Sequence, residues 1–154
     1  MLMAPTNILR GDNARKPKRA AEKPRGASTR REIVIRAGRV TLRARLLDTP
    51  TADRIWQQLP IYSSAEPWGE SIHFETTVET GREMDARRNV KAGEIAFWVE
   101  DDRIIIGYGM TPLSKRGEIR LPSPANVFAI ALDDVQALAG VRPGERVAVL
   151  HADS

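Results

Sequence analysis

From Ile33 onward the chain alternates apolar and polar side chains. Ile33-Val34-Ile35 leads into Val40, Leu42, Ala44 and Leu46 at every second position, the period of a half-buried strand. Ala37-Gly38-Arg39 supplies a turn between the two runs, so they read as an opening hairpin. The period then changes. Ala52, Ile55, Trp56 and Leu59 fall at i, i+3, i+4 and i+7, behind Thr49 as N-cap and Pro50 at the first helical position. Pro60 disfavours helical geometry at Leu59, which ends a short amphipathic helix with Trp56 in its apolar stripe. Further strands are expected at about 70–79, 94–99, 103–109, 126–132 and 145–150, the last four rich in Val, Ile, Phe and Ala. Val135, Leu138 and Ala139 predict a second short helix, with Asp133 or Asp134 as N-cap and Gly140 just past its end.

Many short strands with two isolated helices argue for a mainly β fold, a barrel plugged by helices, and against parallel βαβ units. Closure also removes exposed strand edges. A chain of 154 residues is long enough for one such domain with a proper core. Before Arg31 the pattern vanishes: Pro5, Pro17 and Pro24 stand among small and basic residues, with almost no large apolar side chain after Leu9. So little apolar surface does not offset the entropy of ordering, which predicts a disordered tail over 1–31 and a barrel domain over 32–151.

Charge sharpens this division. Residues 1–31 hold nine Lys or Arg against two acids, whereas residues 32–154 hold 15 against 18. The basic character belongs to the tail, which makes phosphate neutralisation, and hence a nucleic-acid partner, one candidate role. The tail has no aromatic side chain to stack on bases, so a solubilising extension is the preferred reading. The absence of cysteine excludes a disulfide framework, a thiolate metal site and a cysteine nucleophile. No run approaches the roughly 20 apolar residues of a spanning helix, and no secretory signal is visible, so a cytoplasmic protein without a membrane partner is expected.

Three segments carry a resemblance: Trp68-Gly69-Glu70-Ser71-Ile72-His73-Phe74-Glu75, Gly93-Glu94-Ile95-Ala96-Phe97-Trp98, and Ile104-Ile105-Ile106-Gly107-Tyr108-Gly109-Met110-Thr111-Pro112. With Pro50-Thr51-Ala52, Trp56, Leu59-Pro60 and Ser123-Pro124-Ala125-Asn126-Val127, their order resembles the small prokaryotic cyclophilin-like family from about Ile33 to Leu150. The resemblance implies a closed barrel of about eight strands with a short helix over each open end. It also implies a pocket for a small molecule or a proline-containing peptide. Active cyclophilins use a strand arginine that hydrogen-bonds near the proline nitrogen as the amide twists over a barrier of about 20 kcal/mol. Aromatic and methionine side chains hold the ring, and glutamines fix the flanking backbone. Here His73-Phe74 resembles part of the Phe-His-Arg strand motif, but Glu75, Thr76 and Thr77 follow, and no glutamine lies between Gln58 and Gln136. The resemblance therefore implies a binding module without ordinary isomerase activity. The alternative is a peptidyl-prolyl isomerase that uses a loop arginine, for which Arg82 and Arg87 are the catalytic candidates.

The ligand-binding candidates are Trp68, Phe74, Trp98 and Tyr108, with Thr111, Pro112, Ser123 and Asn126 as polar or wall-forming groups. Phe74 and Phe128 lie on apolar strands and suit the core better, whereas Trp68 and Tyr108, beside glycines and loops, suit core or pocket equally. Gly107 and Gly109 leave room on one strand face, for a ligand groove beside Tyr108 or for a barrel corner. His73 and Glu75 share a face, but with only His151 to join them they make a poor metal site, and no metal or cofactor is expected. Neither a serine nucleophile elbow nor a phosphate-cradling glycine loop is present.

Overall fold

The opening hairpin forms where the alternation places it. A computed structural model describes residues 31–152, and the tail expected over 1–31 lies outside them except for Arg31. Strand β1 (Glu32–Ala37) pairs antiparallel with β2 (Val40–Leu46), with Ile33 opposite Ala44 and Ile35 opposite Leu42, so one face of the ribbon is apolar and buried. Gly38 turns the chain at a φ of +60°, a conformation side chains rarely adopt, and a Cβ there would overlap the Glu145 carboxylate.

Helix α1 (Pro50–Gln58) starts at Thr49, whose hydroxyl accepts the Ala52 N–H at 3.0 Å, and stops at the extended Leu59. Its buried face is Thr51, Ala52 and Ile55. Trp56 departs from its expected place in the plug. It sits half-buried at the rim, its ring edge-on to His151 with centroids 4.3 Å apart and the Arg31 guanidinium 5.8 Å away. Adjacent helical positions diverge by roughly 100°, so Ile55 and Trp56 do not both point down the barrel axis.

The remaining strands are β3 (Ile61–Ser64), β4 (Glu66–Pro67), β5 (Ser71–Glu75), β6 (Arg87–Val90), β7 (Glu94–Trp98), β8 (Arg103–Gly107), β9 (Ile119–Ala131) and β10 (Arg146–His151). They form one antiparallel sheet in the order β3-β10-β1-β2-β9-β7-β8-β5-β4, with β6 attached to β9. Eight of these strands make the wall of a barrel; β4 is a two-residue link and β6 lies outside it. The two ends of the order, β3 and β4, are joined in sequence by Ala65 alone, so the sheet curls until its edges face each other. The second helix is a 3-10 turn, Val135–Gly140, with Asp134 as the N-cap.

Two hydrophobic clusters follow. The barrel interior holds Ile33, Ile35, Leu42, Phe74, Phe97 and Phe128, with Ile55 from α1 and Leu138 from the 3-10 turn. Outside the wall, Ala96 and Ile105 are covered by Val90, Leu121 and Ala125. Strand β9 explains this second layer. Its later half pairs with β2 and β7 inside the wall, while its first half pairs with β6, with Ile119 opposite Val90. That is why Ile95-Ala96-Phe97 and Ile104-Ile105-Ile106 are apolar without alternation: both faces are covered. The strand expected over 126–132 therefore begins earlier, at Ile119, and the strand expected over 70–79 ends at Glu75. Strands β3, β4 and β6 are too short and too polar to show a period.

Candidate functional site

Where the edges β3 and β4 meet, the barrel has a seam. Strand β4 pairs with β5 for only two residues, Glu66 opposite His73 and Pro67 opposite Ile72. Beyond it, β3 on one side faces the end of β5 and Thr76-Thr77 on the other. A groove of about 610 Å³ lies there, lined by Pro60, Ile61, Tyr62, Ser63, Ser64, Glu66, Glu75, Thr76 and Thr77. Its volume falls in the range of sites that hold small ligands or short peptide segments. The lining carries hydroxyls and two carboxylates and no cation. Tyr62, 71% exposed, stands on the outer face of β3 at the rim, and it also borders a second groove of about 330 Å³ beside Arg36 and Arg146.

None of the residues proposed from sequence lines the seam. Phe74 is wholly buried in the barrel interior. Trp68 and Trp98 flank the outer cluster, half-buried, and Trp98 meets His73 edge-on at 5.7 Å. Tyr108 packs against the inner core; burial and the Glu70 carboxylate both raise its hydroxyl pKa. Thr111 and Pro112 build a turn, in which the Thr111 hydroxyl donates to the Arg120 carbonyl at 2.5 Å. Ser123 donates to Glu100 at 2.8 Å, and Asn126 is fully buried and hydrogen-bonded on both ends of its amide. The room left by Gly107 and Gly109 is taken by protein: a Cβ at these positions would overlap Ile119 and Glu70.

The candidate arginines and their neighbours are each engaged, and of the two candidates only Arg82 lies in a loop, since Arg87 opens strand β6. Arg82 pairs with Glu100, whose carboxyl pKa is lowered first by the Ser123 hydroxyl, then by a backbone hydrogen bond, and then by Arg82. Arg87 grips Glu94 through two bonds of 2.8 Å, which holds the Glu94 carboxyl low and the guanidinium high. Arg88 donates to the carbonyls of Leu121 and Pro122. Arg103 lies between Glu66 at 3.0 Å and Asp101 at 3.4 Å and donates to His73 Nδ1 at 3.3 Å. Among the described residues no group of three His, Asp or Glu is placed to hold a metal ion.

A family model described as cyclophilin-like matches residues 31–150. The chain belongs to the cyclophilin-like family. In this family member the strand resembling the Phe-His-Arg motif is β5, whose side chains on the face away from Ile72 and Phe74 are Ser71, His73 and Glu75, with no arginine among them. The solution structure of the hypothetical protein AF2241 from Archaeoglobus fulgidus is similar, with 31% identity, a TM-score of 0.71, and coverage of 80% of this chain and 96% of that one. The structure of McbB in complex with tryptophan shares the fold at 16% identity and a TM-score of 0.61, over 79% of this chain and 45% of that one. No curated protein matches the chain.

The groove residues of this cyclophilin-like barrel were hidden in the sequence for a local reason. Ile61-Tyr62-Ser63-Ser64 is too short for a periodic signal, and Glu75 reads as any solvated strand residue. The usable hint is Pro60 followed at once by an apolar residue and an aromatic, Ile61-Tyr62.

Proposed function

We propose that the domain is a binding module for an extended peptide, proline-containing segments included, that uses the barrel seam and does no ordinary isomerase chemistry. The observation that carries this reading is the groove between β3 and the end of β5, open at a gap in the strand ladder and rimmed by the exposed Tyr62 ring. An aromatic ring with few rotatable bonds offers contact area at low entropic cost, and it suits a proline ring. The engagement of Arg82 and Arg87 by Glu100 and Glu94 argues against either as the donor to a twisting prolyl nitrogen. The tryptophan held by McbB favours a second reading, a small aromatic ligand in the same groove.

The test is NMR of the full chain with Xaa-Pro peptides and with free tryptophan, following amide shifts and cis/trans exchange together. Uncatalysed exchange takes tens of seconds or longer, so acceleration is readily seen. The reading expects shifts at Tyr62 to Glu66 and at Glu75 to Thr77 with unchanged exchange. Accelerated exchange would make the protein an isomerase, and shifts confined to tryptophan titrations would favour the small-ligand reading.

A further inference from the structure

Strand β3 has a partner on one side only. In an antiparallel pair, successive residues turn their N–H and C=O alternately toward and away from the neighbour. The Ala65 N–H donates to the Glu145 carbonyl and the Ala65 carbonyl accepts the Gly144 N–H, both at 2.8 Å, which turns residues 61, 63 and 65 toward β10. The N–H and C=O of Tyr62 and Ser64 therefore turn to the seam.

The opposite wall gives the same result. The Trp68 N–H donates to the Ser71 carbonyl and the Thr76 N–H to the Asp102 carbonyl, both at 2.9 Å, so residues 71, 73 and 75 turn to the β4 side and the even residues to β8. His73 is taken by Glu66, but Glu75 lies beyond the end of β4, and its backbone N–H and C=O have no ladder partner. Two unpaired strand edges thus share one groove.

The charge of the groove selects among chains that such edges attract. The Glu75 side chain is exposed and has no ion pair or hydrogen bond among the described residues, and Glu66 is 56% exposed beyond its single bridge to Arg103. Arg103 offsets Glu66 from outside the groove, and no cation lines the groove itself. Alternate side chains of an added strand fall on one face, so cationic residues two apart would meet this acidic rim together.

Resting on the reading of the seam as a peptide site, we propose that it takes a lysine- or arginine-bearing extended segment as an added strand along β3, bonded to Tyr62 and Ser64 and paired in charge with Glu75 and Glu66. Main-chain bonds supply the affinity and the carboxylates supply the selection.

The probes are a hexapeptide of alternating valine and lysine, its glutamate counterpart, and the lysine peptide N-methylated at alternate residues. With the full chain at low salt, the lysine peptide is expected to slow hydrogen exchange at the Tyr62, Ser64 and Glu75 amides and to bind about tenfold tighter than the glutamate peptide. N-methylation should abolish that protection, and Glu75→Lys, an exposed change, should narrow or reverse the charge preference. Binding at the seam that tolerates N-methylation or ignores charge overturns strand addition but leaves the peptide-site reading intact. Absence of any peptide at the seam overturns both. Protection of the same amides by concentration-dependent dimerisation, without peptide, would assign the edge to a second copy of the chain and overturn the proposal.

Discussion

The Glu83 carboxylate accepts both the hydroxyl of Thr51, at 2.6 Å, and its backbone N–H, at 3.0 Å. A loop residue thereby satisfies a donor in the first turn of α1, where the helix favours negative charge. Asn126 closes the arrangement from β9. Its Nδ2 donates to the Thr51 hydroxyl at 3.0 Å and to the Gly81 carbonyl at 2.9 Å, and its Oδ1 accepts the Glu83 N–H at 2.9 Å. One buried amide thus holds the loop between β5 and β6 against the helix that plugs the barrel. Asn126→Ala should lower stability by about 2–3 kcal/mol, because it strands several buried polar groups at once. Glu83→Gln should cost less, since the amide oxygen still accepts from Thr51. Urea midpoints of the two variants check the order, and equal losses would contradict it.

Ile55 and Trp56 are neighbours in sequence with different burial, so the smaller residue should matter more. Ile55→Ala opens a cavity under the helix and should cost about 3–4 kcal/mol. Trp56→Ala removes a rim contact with His151 and should cost about 1–2 kcal/mol, below the usual range for a buried tryptophan. Thermal or urea unfolding that reverses this order would place the helix differently.

Gly107 is buried and makes room for Ile119 across the outer face. Gly107→Ala should destabilise by about 1–3 kcal/mol through overpacking. Ile119→Ala should cost less in the Gly107→Ala background than alone, because it relieves the clash. A double-mutant cycle with no coupling would show that the tight approach has no energetic weight.

His73 resists protonation. Burial lowers its pKa most, with the Arg103 charge next, and the bond donated by Arg103 requires an unprotonated Nδ1. The unfolded chain takes up this proton near the ordinary value of 6.5 while the folded chain resists it. The unfolded state thus binds more protons below that value, and stability falls with acidification until pH drops through the folded value. Between about pH 7.5 and 5.5 the urea midpoint should fall more for the natural protein than for His73→Gln. Parallel pH profiles would refute this account.

The alternation of Ile33 to Leu46, the capped helix at Thr49-Pro50 and the doubly apolar runs Ile95-Phe97 and Ile104-Ile106 were legible in the sequence by itself. Each reflects burial of side chains fixed by local period, and burial is what a hydrophobic pattern encodes. They sufficed for a helix-plugged barrel, and the ordered segment words sufficed for its family. The tertiary structure alone decided where the barrel stays open. That depends on how many residues β4 pairs with β5, which is a property of register and curvature between distant strands and has no local signal. It likewise decided that Trp68 and Trp98 flank an outer cluster, because only the reach of β9 and β6 around the wall covers that face. The candidate site differs from the residues first singled out for the same reason. Aromatic side chains advertise burial in a sequence, whereas unpaired backbone groups at a seam belong to every residue type and appear only once the strands are in place.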